Sequence, residues 1–127
     1  MNNLKSNIWK YYLFEILWSL VFFFPIFQLF YLARGLTITQ IAFLGVAFGV
    51  AKIATEIPSG ILADKWGRKK TLFLSQLFLL IEMSILIFFN NFWLFFIAAI
   101  FSGLWISFYS GTATAFFYDT LKGLKRE

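Results

Sequence analysis

Long apolar stretches alternate with short polar or charged segments along the whole chain. The apolar stretches are residues 11–33, 38–62, 71–89 and 92–118. An α-helix rises about 1.5 Å per residue, so about 20 apolar residues cross a hydrocarbon core of about 30 Å. The pattern therefore predicts an all-α integral membrane protein with four transmembrane helices.

Composition agrees with a membrane setting. Hydrophobic residues make up 61% of the 127 residues and charged residues only 13%, with a mean hydropathy of +0.79. A soluble domain of this size exposes more surface than so few charges cover. The chain has no cysteine and no histidine, which removes disulfides, Cys-based metal sites and the commonest general base. No nucleophile–base pair, metal-ligand set or phosphate-binding glycine loop is visible, so we expect neither an enzyme nor a cofactor or metal.

Basic residues give the chain an orientation. With the N-terminus inside, only Arg34 falls in an outside loop. The cytoplasmic segments then hold Lys5, Lys10, Lys65, Arg68, Lys69, Lys70, Lys122, Lys125 and Arg126. By the positive-inside rule, both termini are expected in the cytoplasm of a multi-pass protein of the cell membrane. The cations adjoin apolar spans, so the net charge of +5 indicates the lipid bilayer and not nucleic acid as the partner.

Ionisable residues also occur inside the predicted spans. A charge near a helix centre costs about 2.5–3.5 kcal/mol on insertion scales, so such residues are candidates for coupling to a proton or cation. Lys52 and Glu56 are four residues apart and are able to pair on one helix face. Gly45 and Gly49 share that face and predict close approach of a neighbouring helix. The intramembrane charges are Glu15, Lys52, Glu56 and Glu82.

Two of these acids have alternative interpretations. Glu15 lies one turn into the first span, where it either snorkels to the lipid headgroups or binds a proton or cation. Glu82 has no obvious partner in the sequence. It is either protonated in place or meets an element outside this chain.

The segment between the second and third spans carries a motif. Residues 60–70 read GILADKWGRKK, which closely resembles the loop 2–3 signature of the major facilitator superfamily, G-x-L-a-D-[RK]-x-G-R-[RK]-x. Its charges predict a loop at the cytoplasmic membrane face. Residues 56–60 (EIPSG) and 110–122 (SGTATAFFYDTLK) resemble motifs of a drug-efflux-like bacterial branch of that family.

The resemblance implies a fold and a function. Family members have twelve helices in two halves, with the substrate held between them. Residues 1–127 would be the first part of the N-terminal half, a fragment whose C-terminal half is missing. The implied function is secondary active transport of a small molecule by alternating access, either import or export, and the branch resembled makes drug or metabolite efflux one form of it.

The resemblance also assigns residues. Asp64, Arg68 and Asp119 would form a conformational latch, with Gly60, Gly67 and Lys69 completing the signature. Helices one and four would line the cavity, through Trp18, Phe22, Trp105 and Tyr109. Ser107 stands where many proton antiporters of the family carry an arginine, so arginine-based coupling is not carried over. Coupling would then fall to Glu15 or Glu56.

Two other functions stay open. Small multidrug resistance proteins are about this long and carry a carboxylate in helix one, which suggests a self-sufficient four-helix transporter that dimerises. They lack the loop 2–3 signature. Alternatively, the chain is a non-transporting membrane fragment with a partner-binding role.

Overall fold

The computed structural model describes residues 9, 12, 13, 16, 17 and 23–125, with side chains described between 26 and 112 in the last range. The helices in that range are α1 (Phe23–Ala33), α2 (Ile38–Trp66), α3 (Arg68–Phe88) and α4 (Phe92–Lys125). Residues 11, 14, 15 and 18–22 of the predicted first span, residues 11–33, lie outside the described residues.

Three described segments are long and apolar enough to cross a membrane. They are α2, α3 and the Phe92–Thr112 part of α4. Less than half of each is buried inside the protein, which leaves broad apolar faces for lipid. These helices indicate a multi-pass membrane protein.

A capping box begins α2. The Gln40 amide donates to the Thr37 hydroxyl at 3.3 Å, and the Thr37 amide donates to the Gln40 side chain at 2.9 Å. Two amides that the helix leaves unpaired are thereby satisfied. The sequence pattern Thr37-x-x-Gln40 predicts this start, and the structure confirms it.

The basic segment is not the loop that its charge predicts. Helix α2 continues to Trp66 and α3 begins at Arg68, so Gly67 alone separates them. Gly67 has φ 91° and ψ 141°, a conformation that residues with a Cβ rarely adopt. The Gly67 carbonyl accepts from the amides of Lys70 and Thr71. A single glycine therefore turns the chain, and the charges lie on the ends of two helices.

Helix α4 is the centre of the described bundle, because it packs extensively on both α2 and α3, whereas α2 and α3 touch each other much less.

The tightest glycine contact is at Gly103. A Cβ there would lie 2.5 Å from the Phe48 carbonyl oxygen and 2.8 Å from the Ala51 Cβ. No described atom lies within 4 Å of a Cβ built on Gly45 or Gly49. No described helix therefore approaches Gly45 or Gly49 closely, and the contact predicted for these two glycines stays a prediction. The small residue that allows α2 and α4 to approach closely is Gly103 of α4. The backbone of α2 occupies the space that a side chain at position 103 would need.

Aromatic side chains join α1 to α4 near the ends of the helices. Tyr31 meets Phe95 edge-to-face with ring centroids 5.5 Å apart. At this end, the Arg34 guanidinium donates to the Phe89 carbonyl at 3.2 Å. The α1–α2 and α3–α4 connections therefore lie on the same side of the bundle, opposite Gly67, as an up-and-down arrangement requires.

Candidate functional site

The signature residues flank the break at Gly67. Asp64 lies exposed on the last turn of α2, and Arg68 is the half-buried first residue of α3. Gly67 has no side chain to cap α3, so a carboxylate nearby complements the positive dipole end of that helix. Gly60 is half-buried in α2 and Lys69 is exposed. Asp119 belongs to the part of α4 whose side chains are not described, so the latch triad stays a prediction.

A pair of buried serines connects α2 to α4. Ser59 and Ser107 are 2% and 1% exposed, and their hydroxyl oxygens are 3.3 Å apart. The Ser59 hydroxyl also lies in donating range of the Ser107 carbonyl, at 3.2 Å, and of the Glu56 carbonyl, at 2.9 Å. Ser107 occupies the position at which the resembled antiporters carry arginine, so at this position the chain has an interhelical hydroxyl contact and no charge.

Sequence reasoning missed the partner of Ser107. The signal was Ser59 itself, a hydroxyl in an otherwise apolar stretch directly after Pro58. Hydroxyl side chains in membrane helices commonly bond across helix contacts.

The intramembrane charges are in different environments. Lys52 is half-buried and Glu56 is exposed, and within the described part of the chain no ion pair joins them. Glu82 is only 3% exposed. The Ser102 side chain of α4 lies beside its carboxyl group. Glu15 lies outside the described residues.

The predicted cavity residues are partly described. Trp105 is 6% exposed and Tyr109 is half-buried, and their rings stack with centroids 6.4 Å apart. Trp18 and Phe22 lie outside the described residues, so a wall shared by the first and fourth spans stays a prediction. Among described residues, no group of three or more Asp, Glu, His or Cys side chains is placed to hold a metal ion.

The apolar helices and their polar interior contacts define a multi-pass membrane protein. The chain belongs to the major facilitator superfamily, whose family model matches residues 13–127. This match confirms the family resemblance seen at residues 60–70. The family consists of membrane transporters and not of enzymes. No curated protein matches the chain significantly, and neither does any solved structure.

Proposed function

We propose that the chain takes part in secondary active transport of a small molecule across the cell membrane by alternating access, with both termini in the cytoplasm. The family match over residues 13–127 supports transport. Efflux of a drug or metabolite is supported by the likeness of residues 56–60 and 110–122 to one bacterial branch. In this proposal, α1–α4 act together with the C-terminal half that the resemblance implies.

The observation that carries the proposal is the one-residue break at Gly67. Because Gly67 alone joins α2 to α3, Asp64 and Arg68 sit on adjoining helix ends with little freedom to move apart. Charges fixed in this way suit a latch that stabilises one state of a transporter. Asp119 would be the third member.

Whole-cell transport of the intact gene product tests this function. The protein is expressed in a bacterial strain without its main efflux pumps, and mass spectrometry measures intracellular ethidium, tetraphenylphosphonium and the cell's own metabolites. We expect the wild-type protein to change the level of at least one compound, and a protonophore to abolish the change. A hydrogen bond to a charged group contributes about 1.5–3 kcal/mol, so Asp64→Asn is expected to shift the conformational equilibrium by about 10- to 100-fold and to slow transport.

The control is Lys70→Gln, which removes an exposed charge at an unspecified position of the signature. It is expected to transport at the wild-type rate. Wild-type rates in Asp64→Asn would contradict the latch. Levels equal to those of the empty vector for every compound would contradict transport.

A second experiment separates the alternatives. The 127-residue chain alone is reconstituted into lipid vesicles and tested with the compound found above. Transport by the chain alone would favour a self-sufficient dimer of four-helix subunits. We expect none, because the proposed pathway needs the second half.

A further inference from the structure

Among the acids whose side chains the structure describes, Glu82 is the buried one. Helix α3 turns one narrow stripe towards the protein interior. Its buried members are Thr71, Ser75, Glu82 and Leu86. Glu82 lies six residues before Phe88, or about 9 Å along the helix, and therefore within the apolar span. Asp64 and Glu56, the other acids whose side chains are described, are exposed.

Among the side chains that the structure describes, the neighbouring helices offer Glu82 hydroxyl groups and no countercharge. From α4, the Ser102 side chain lies beside the carboxyl. From α1, Tyr31 lies close enough for its phenol to interact electrostatically with Glu82. Lys52 on α2 makes no ion pair with Glu82 within the described residues. The second carboxyl oxygen, Oε2, is buried and has no hydrogen-bond partner among the residues that the structure describes.

This environment selects the neutral form of the acid. An ionised carboxylate that is buried without a countercharge carries a desolvation penalty of several kcal/mol, and each unpaired polar atom adds to it. A protonated carboxyl has no charge to compensate. Metal cations such as Ca²⁺ require several oxygen ligands, and no cluster of acidic residues is present in the described region. The bound species that fits is a proton.

We propose that Glu82 is a proton-binding site, protonated in this conformation, which releases its proton to water and takes it up again as the helices rearrange. Its role in coupling rests on the proposed transport function. Glu82 is one of the four intramembrane residues that the sequence marks as candidates for coupling, and its burial distinguishes it from the exposed Glu56. It lies at the contact of α3 with α4. The Oε2 atom has no hydrogen-bond partner among the described residues and is able to accept a hydrogen bond from a water molecule that enters the site.

Infrared spectroscopy of the intact protein in phosphatidylethanolamine–phosphatidylglycerol vesicles tests the proposal without any substrate. A neutral carboxyl group gives a C=O stretching band separate from the bands of carboxylates. We expect Glu82→Gln to remove one such band. The band should shift in D₂O within minutes, because large conformational changes of proteins take about microseconds to seconds and would expose the proton repeatedly.

Control variants make the assignment specific. Glu56→Gln removes an exposed acid of α2 and should leave the band in place. Ser102→Ala removes the neighbouring hydroxyl group and should shift the frequency of the band. Glu82→Asp retains an acid if Glu82→Gln fails to fold, and should give a displaced band.

Two results would overturn the proposal. If Glu82→Gln leaves every neutral-carboxyl band unchanged, Glu82 is ionised. If the band is present but does not shift in D₂O, Glu82 is a sealed structural acid and not a site of proton exchange. Both results are independent of whether transport is observed, so they are distinct from failure of the transport assay.

Discussion

Gly103 shows how a single side chain sets the distance between two helices. A Cβ at this position would overlap the backbone of α2 at Phe48 and Lys52. Backbone atoms yield less than the end of a flexible side chain, so α4 is able to lie this close to α2 only with glycine at position 103. The nearby Ser59–Ser107 contact depends on the same short distance.

We therefore predict that Gly103→Ala destabilises the protein. Overpacking of a well-packed interior costs about 1–3 kcal/mol. The measurement is the thermal unfolding of the detergent-solubilised protein, followed by circular dichroism. Gly45→Ala is the matched control, because Gly45 is exposed in α2 and no described atom lies near its missing Cβ. Alanine in a helix interior is favoured over glycine by about 0.5–1 kcal/mol, so the control should unfold at the wild-type temperature or above. Equal losses in the two variants would contradict this account of the α2–α4 contact.

At the scale of elements, α2 and α3 form a hairpin whose turn is one residue. We predict that Gly67→Ala destabilises this hairpin, because a side chain at φ 91° is strained by about 1–3 kcal/mol. Gly60→Ala, in the same signature, is the control, since Gly60 is helical and has open space around its missing Cβ. Protease cleavage at the turn, measured in membranes, should increase for Gly67→Ala only. If both variants resist cleavage as the wild type does, the turn does not depend on glycine.

The contact between α2 and α4 allows a double-mutant cycle. Ser59→Ala, Ser107→Ala and the double variant are compared by thermal unfolding in detergent. Interhelical hydrogen bonds in membranes contribute about 0.6 kcal/mol on average and at most about 1.7 kcal/mol, and we expect a coupling energy in that range. Ser84→Ala is the control, because the Ser84 hydroxyl donates to the Leu80 carbonyl of its own helix at 2.7 Å. Strictly additive losses would show that the two serines are neighbours without an energetic interaction.

At the scale of the whole molecule, the sequence predicts the parts that depend on hydropathy and local patterns. Apolar runs place α2, α3 and α4, the Thr37–Gln40 spacing marks the start of α2, and the motif at residues 60–70 identifies the family. The contacts between helices depend on rotation and depth, which hydropathy does not specify.

Gly103, Ser59 and Ser102 illustrate that limit. Each is a small residue in an apolar helix, as are Gly45 and Gly49, and only the packed structure shows which of them meet a neighbour. The basic segment shows a related limit. Its charges require an aqueous surface, but they do not require a loop, because two helices that extend beyond the hydrocarbon satisfy the same condition.

The orientation of the molecule in the membrane leads to a testable prediction. The test is simple because the chain has no cysteine of its own. The Arg34–Phe89 contact places the α1–α2 and α3–α4 connections at one end, and Gly67 lies at the other. Because the basic residues cluster around Gly67, the positive-inside rule assigns that end to the cytoplasm. The natural chain contains no cysteine, so Asn90→Cys and Lys69→Cys each introduce a single thiol, and both positions are exposed. In intact cells, a membrane-impermeant maleimide should label Asn90→Cys, and it should label Lys69→Cys only after permeabilisation. The reverse pattern would contradict the orientation, and labelling of both positions in intact cells would contradict the assignment of the two turns to opposite sides of the membrane.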